Sequence, residues 1–538
     1  MNALISLLYG TLHTEILLAA VAGVISHIGF YKHGEHHMKA PLLFWLHVVL
    51  FSLTVYGKSV NGYFYQSFKA SMIISTVYLL GLLASIVVYR RFFHRLRSFP
   101  GPTLASITKL WHVAHSLDSQ NHLLLDGLYK KYGDFVRTGP SEITVFNQEA
   151  TWAINGPSNN CTKAAWYDIL LPLYALNTIR SKQQHDQRRR AWEQAISFKT
   201  MSGYEERIQS HGVKLEKHIA STAGESINMT QWFYFLAFDV MGDFAFAKSF
   251  NMLESKEWHY AVVLLRRALG LLGPVSSVPW LAQLAFSFPV IPIIRDWNRM
   301  IAWCAERMAE QIQISSWLIR HAKVKSTLSN DKPLLNGDSV ALIVAGSDTV
   351  ASTMVNIFYR LAIYPKHAEK VRQEVNSLSS VYDIQGLKNL EHMNGVINEV
   401  LRLHPSVPTG GYRETPPEGL DIAGTWIPGN TTIIAPRYTI GRLERLYKQP
   451  EEFIPERWYS RPELVLDKKS FNPFNIGRYS CIGKNLALAE IRFVTALLVS
   501  KYHITLAPGE DGISVWKDMK DQFTAVPGKL ELVFTPIH

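Results

Sequence analysis

Phe474-Asn475-Ile476-Gly477-Arg478-Tyr479-Ser480-Cys481-Ile482-Gly483-Lys484-Asn485-Leu486-Ala487 is the stretch on which the fold turns. A glycine-bearing loop runs here into a segment that continues as helix through Glu490 and Arg492. A cysteine at the start of a helix has the positive end of the dipole and free N–H groups aimed at it, which lowers its pKa and stabilises a thiolate. Gly477 and Gly483 let the backbone approach a flat ligand closely. On the loop alone two readings of Cys481 stand: an inert thiol, or a thiolate ligand.

Upstream, Glu399-Val400-Leu401-Arg402 puts a carboxylate and a guanidinium on one helix face, which by itself is an ordinary helical salt bridge. Phe453-Ile454-Pro455-Glu456-Arg457-Trp458 follows in a proline-bounded turn. Ala345-Gly346-Ser347-Asp348-Thr349 lies inside a long helix expected over 337–364. Gly346 costs that helix about 1 kcal/mol relative to Ala. The bland reading of such a segment is a kink with satisfied hydroxyls. His185 and Arg189 are four apart on a helix, and Arg413 follows the Glu399 helix; a solvated basic face would account for either.

Together these segments resemble the cytochrome P450 family in order and spacing, from about residue 98 to the C-terminus. The resemblance implies that the Cys481 thiolate binds the iron of haem b and pushes electron density onto it to cleave O–O, in a loop framed by Phe474, Gly477 and Gly483. It implies that Glu399, Arg402 and Arg457 form a buried ionic cluster that fixes geometry more than it adds stability. Gly346 would give room for dioxygen, Thr349 would orient it, and Asp348 would relay protons. His185, Arg189 and Arg413 would hold the haem propionates through charge-assisted hydrogen bonds. One departure stands out: the family's Arg two residues before the Cys is Tyr479 here, with Arg478 one place earlier. Either Arg478 reaches round to a propionate or Tyr479 donates a single O–H.

By family position, Val344, Ala345, 406–409 and 523–526 would line the substrate pocket. The stretches 411–419 and 436–442 further resemble fungal P450s of secondary metabolism. The implied reaction inserts one oxygen atom of O2 into an apolar substrate, such as a terpenoid or polyketide-derived intermediate, and releases the other as water. Electrons would come from NADPH through NADPH-cytochrome P450 reductase, docked on basic residues such as Lys484 and the 188–190 cluster. The alternatives are a haem-thiolate isomerase, dehydratase or coupling enzyme without net oxygen insertion, and a catalytically inactive membrane scaffold.

Composition narrows the class. Three cysteines in 538 residues exclude a disulfide framework. A net charge of +11 is spread in short clusters without a nucleic-acid-binding motif, so no nucleic acid is expected as partner. Residues 1–97 read as a membrane anchor, with apolar stretches at 12–30, 41–56 and 70–89 taken as three transmembrane helices. Arg90, Arg91, Arg95 and Arg97 follow the last stretch, and a positive excess there places the body in the cytosol, facing out from the endoplasmic reticulum membrane. The sequons at Asn160, Asn228 and Asn430 should then stay unmodified.

Residues 98–538 read as one mainly α (α+β) domain with small β-sheets, the P450 fold by resemblance. Helices are expected over 183–196, 201–220, 232–244, 297–322, 337–364, 366–378 and 387–403. Strands are expected to pair 135–138 with 142–146 and 420–427 with 432–435, with a last strand in 529–535.

Overall fold

Apolar stretches long enough to cross a bilayer account for the start of the chain. In the computed structural model, which describes residues 2–60, 62–196, 198–246, 248–309 and 328–537, they form three helices in up-down-up order, the first and third parallel. These are Asn2–Ser26 continued by His27–Tyr31, Ala40–Ser59, and Phe64–Val88 continued by Tyr89–Phe93. Segments Leu12–Tyr31, His37–Ser59 and Phe64–Phe93 are each apolar enough to span, at 20, 23 and 30 residues. The second is longer than its expected 41–56. First and third helices touch backbone to backbone: a Cβ on Gly23 would lie 2.3 Å from Tyr78 O, and one on Gly81 2.4 Å from Ala20 O. Small residues permit such contact where no hydrophobic effect drives helices together.

The body is built on helix Leu328–Ile363, also long and apolar enough to span, but with 72% of its apolar window buried in protein. Helix Met229–Phe246 packs along it, and helix Lys484–Lys501 crosses it. Phe233, Phe235, Phe238, Phe358 and Phe493 on these helices, and Phe534 on the final strand, are fully buried, each contributing roughly 1.5–3 kcal/mol of transfer free energy. Gly346, expected to make room for dioxygen, also lets this packing come close, since a Cβ there would fall 2.4 Å from Met241 Sδ and that side chain would have to shift.

Most expected helices appear with shifted ends. Lys182–Ala195, Phe198–Ser221, Met229–Phe246, Pro365–Asn376 and Glu391–Leu403 match theirs, the last with a separate turn Ile384–Leu387 before it. Of the helix expected over 297–322, Pro292–Ala309 is present and 310–322 lies outside the described residues.

The main sheet has strand order Phe135–Gly139, Glu142–Val145, Thr432–Ile434, Arg413–Glu414, Thr162–Lys163. The expected pairing of 420–427 with 432–435 does not form. Leu420–Ile422 and Thr425–Ile427 fold on each other about Ala423 and Gly424, which frees Thr432–Ile434 to pair in parallel with Glu142–Val145. The final strand, Glu531–Pro536, joins Tyr502–Leu506 and Ile227–Asn228.

Candidate active site

Cys481 stands two residues before helix Lys484–Lys501, whose N-cap is Gly483. Its N–H donates to Phe474 O at 2.8 Å, closing the loop. The lowered pKa expected from the helix terminus is not found. Burial raises the Cys481 thiol and outweighs the N–H groups of Gly483 and Lys484 and the guanidiniums of Arg437 and Arg189, all of which act downward. Cys161 and Cys304 are pushed up to about 11 and about 12 by burial. Cys481 is surrounded by enough protein to be desolvated yet keeps accessible surface, unlike the other two cysteines, which are buried.

The two loop glycines differ. Gly477 has φ +65°, and its Cβ would sit 2.1 Å from Asn155 O, so the end of helix Glu149–Asn155 demands glycine there rather than a ligand. Gly483 has open space where its Cβ would be, which leaves room for a flat group. Phe474 is half-buried, with the Lys484 ammonium 5.6 Å from its ring centre.

Arg189 and Arg478 are spent on protein partners. Arg189 donates to the carbonyls of Arg478 (3.1 Å) and Ser480 (2.9 Å) and to Glu193 (2.8 Å), fastening the cysteine loop. Arg478 turns outward to pair with Asp186, so it does not reach round to the site. Tyr479 has its hydroxyl buried without a partner. Its ring meets His185 edge-on at 4.9 Å and is faced by the cations of Arg413 at 4.5 Å and Lys163 at 4.9 Å. Burial, then Lys163, hold His185 down to about 4, so its imidazole is neutral.

Lys163 and Arg413 sit directly opposite each other on antiparallel strands. Like charges so placed repel. Burial and then Arg413 push the Lys163 ammonium well below its ordinary pKa; among the described residues it donates to Leu176 O alone, at 3.0 Å. Arg413 donates to Asn155 Oδ1 (2.9 Å) and Tyr167 OH (3.1 Å). A third cation, Arg437, is pushed down to about 10 by burial and then by Arg413. Among the described residues no carboxylate pairs with Lys163, Arg413 or Arg437.

Two buried basic side chains, Lys163 and Arg413, with the half-buried Arg437 beside them, are costly when no carboxylate among the described residues pairs with them. A ligand bringing two carboxylates beside the orphaned Tyr479 hydroxyl would offset that cost, and haem b with its two propionates fits. Lys163 and Arg437 are absent from the sequence expectations. Arg437 lies in a stretch that resembles the family, but nothing local marks Lys163, because strand pairing alone brings it to Arg413.

On the long helix, Ala345 is exposed and Val344, Gly346 and Thr349 are half-buried, so this face of the helix is left uncovered by protein. Thr349 Oγ1 donates back to Ala345 O at 2.7 Å, and Ser406 Oγ donates to Thr349 O at 3.2 Å. Asp348 is buried, with Oδ2 accepting from Thr524 Oγ1 at 3.4 Å. Burial pushes it up to about 6, against the pull of Arg266. Thr409, expected in the pocket lining, instead donates to Asp521 at 2.6 Å and accepts from Asn121 at 2.7 Å. Phe523 has φ +73°, a strained value for a side-chain-bearing residue. Its ring stacks on Trp166 at 4.7 Å, and Trp166 stacks on Tyr412 at 4.9 Å.

Glu399, Arg402 and Arg457 do come together, with no exposed side-chain surface on any of them. Glu399 Oε1 accepts from Arg402 Nη2 (2.7 Å) and Arg457 Nε (2.8 Å), and Oε2 from Arg402 Nε and Trp458 Nε1 (both 2.9 Å). The arginines' other N–H groups go to the carbonyls of Gly441, Pro450 and Lys448, among others.

A mainly helical body with small sheets, an open cysteine at a helix start and a nearby cluster of basic side chains without carboxylate partners among the described residues fit a haem-thiolate enzyme. The sequence matches the family model Cytochrome P450 over residues 100–534, and the chain belongs to the cytochrome P450 family. The structure of a cytochrome P450DA haem domain superposes with a TM-score of 0.68 at 16% identity, covering 82% of this chain and 98% of that one. Tryprostatin B 6-hydroxylase of Aspergillus fumigatus is 35% identical over 528 residues, 94% of either chain. Cytochrome P450 monooxygenase lcsK of Purpureocillium lilacinum is 36% identical over 544 residues, 97% of this chain and 98% of its own. The chain is a monooxygenase of the fungal secondary-metabolism type, with haem iron bound by a cysteine thiolate, and it takes O2 and electrons from a redox partner.

Proposed function

We propose that this enzyme hydroxylates an apolar, lipid-dissolved intermediate of a fungal secondary-metabolite pathway, a terpenoid or polyketide-derived compound among the classes its pocket suits. Electrons come from NADPH through the membrane-bound cytochrome P450 reductase, at the cytosolic face of the endoplasmic reticulum. Hydroxylation as the outcome is supported by the relative named for that reaction on tryprostatin B. The observation that carries the site is the open Cys481 thiol at a helix start, near a cluster of the buried Lys163 and Arg413 and the half-buried Arg437 that has no carboxylate partner among the described residues.

Cys481 is the iron ligand in this reading, and Arg413, Lys163 and Arg437 hold the propionates, with the Tyr479 hydroxyl as a further donor. Bound haem supplies the reduction of O2 and the transfer of one oxygen atom to carbon. Thr349 Oγ1 gives its proton to Ala345 O, so its oxygen is left to accept from a group in the cavity. Asp348 Oδ2, held near neutrality by burial, stores and passes a proton between Thr524 and the cavity. The stack of Phe523, Trp166 and Tyr412 gives an apolar substrate a rigid wall.

The test is a reduced carbon monoxide difference spectrum. Cys481→Ser is expected to abolish the thiolate-type Soret band, and a band retained in that variant would refute the ligand assignment. Co-expression with the reductase, comparing metabolites of the parent and Thr349→Ala, tests oxygen insertion; a product formed equally by both would refute Thr349's role.

A further inference from the structure

The loop between the first two anchor helices is short and polar, carrying Lys32, His33, Glu35, His36, His37 and Lys39. Instead of lying free in solvent it is fastened to the body. Both carboxylate oxygens of Glu35 accept from the Arg180 guanidinium at 2.8 Å, the forked geometry that makes such pairs strong and directional. His37 Nε2 and Asp168 Oδ2 are 2.8 Å apart, and Arg180 Nη1 donates to the same oxygen at 2.6 Å. Arg180 Nε donates to Lys163 O at 3.0 Å. One arginine therefore joins the anchor loop, residue 168 and the strand that carries Lys163. His37, Asp168 and Arg180 are largely shielded, with 12%, 14% and 25% of their side-chain surface exposed. Solvent weakens this cluster less than it weakens an open surface pair.

What the cluster grips is the turn Ala165–Leu170, which bears Trp166 and Tyr167. Trp166 is the middle ring of the Phe523–Trp166–Tyr412 stack and has its indole N–H buried without a partner among the described residues, while Tyr167 OH accepts from Arg413 of the cation cluster. The far side of the same turn is held by helix Pro279–Phe286, whose Gln283 amide donates to Asp168 O (2.9 Å) and Ile169 O (3.2 Å). Just beyond that helix, Phe288 packs against Phe44 and Trp45 at the start of the second anchor helix. Trp280 and Val290 beside it are 41% and 83% exposed, as suits a surface lying on lipid. The turn 165–170, helix 279–286 and the anchor thus meet at one seam, joined by the hydrogen bonds of Glu35, His37 and Gln283 and by Phe288 against Phe44 and Trp45.

We propose that Glu35 and His37 are positioning residues for the reaction: the anchor loop latches residues 165–170 over the cavity, and an apolar substrate passes from the bilayer through the seam they close. This rests on the membrane reading above, which fails separately, since alkaline carbonate would then extract the parent chain from membranes.

The test uses the full-length haem-loaded enzyme in phospholipid nanodiscs, with phenylimidazole as an apolar probe that reaches the iron through the cavity. Glu35→Gln combined with His37→Ala should speed probe association and dissociation, read by the Soret shift in stopped flow, by about tenfold, the equivalent of one charge-assisted bond. Deuterium uptake of 165–170 should rise, the reduced carbon monoxide spectrum should be unchanged, and His37→Gln, which keeps an N–H donor, should behave like the parent. Rates and uptake within about twofold of the parent would overturn the proposal. So would loss of the carbon monoxide band in the double variant, which would make the cluster a general support of the fold.

Discussion

Asp521 is buried in the hairpin Lys520–Gln522 with Thr524–Val526 and has no cation beside it. Burial pushes its carboxyl up to about 6, while the Thr409 hydroxyl and the Phe523 N–H act downward. A carboxyl whose folded pKa exceeds its unfolded value of 3.8 adds stability that is full below about pH 4 and is lost as pH rises through about 6. Asp521→Asn keeps an acceptor for Thr409 without the charge. Its melting temperature should exceed the parent's at about pH 8 and converge with it toward about pH 4; scanning fluorimetry across that range decides it, and a constant offset would exclude the linkage. Lys163→Met should speed haem loss to apomyoglobin by about tenfold, as expected when one charge-assisted hydrogen bond is removed. Cys481, Glu399 and Arg402 are legible in the sequence because their neighbours along the chain announce them. Lys163 is not, since its meaning comes from a register, Lys163 opposite Arg413, set by residues 250 apart.

At the scale of elements, the ionic cluster and the long helix make opposite points about what sequence carries. Glu399, Arg402 and Arg457 are recognisable from two short segments, and the fold joins them with every Glu399 oxygen satisfied. Glu399→Gln leaves two buried guanidiniums without their counter-charge and should cost about 3–5 kcal/mol, read as a fall in the denaturant midpoint. The long helix is expected from the sequence over 337–364. It begins at Leu328 and runs through Pro333. Helix propensity would have Gly337→Ala gain about 1 kcal/mol. A Cβ there, however, would lie 1.8 Å from Tyr174 O, a backbone atom that cannot rotate aside. The clash should win, with a net loss of about 2 kcal/mol; a stabilised variant by the same measurement would show that segment 172–178 yields freely.

At the scale of the whole molecule, composition gives three apolar stretches but not how many of them span, because length and hydropathy treat each helix alone. Contacts add what they leave out. The loop at 32–39 is bonded to the body through Glu35 and His37, and the body itself leaves the third helix at Phe93, so both lie on one side of the helices. Antiparallel neighbours then put the N-terminus and the connection near residue 60 on the other side. Arg90 and Arg91 at the body end agree with a cytosolic body. A sequon placed in an N-terminal extension should therefore be glycosylated in microsomes, while Asn160, Asn228 and Asn430 stay unmodified and the body is open to added protease. Mobility on gels before and after endoglycosidase reads both at once. An unmodified extension together with a protease-sensitive body would leave the N-terminus on the cytosolic side and reduce the spans to an even number. The loop bearing Glu35 would still touch the body only if the first helix lay along the membrane surface, and its close backbone contact with the third helix at Gly23 and Gly81 makes that arrangement untenable.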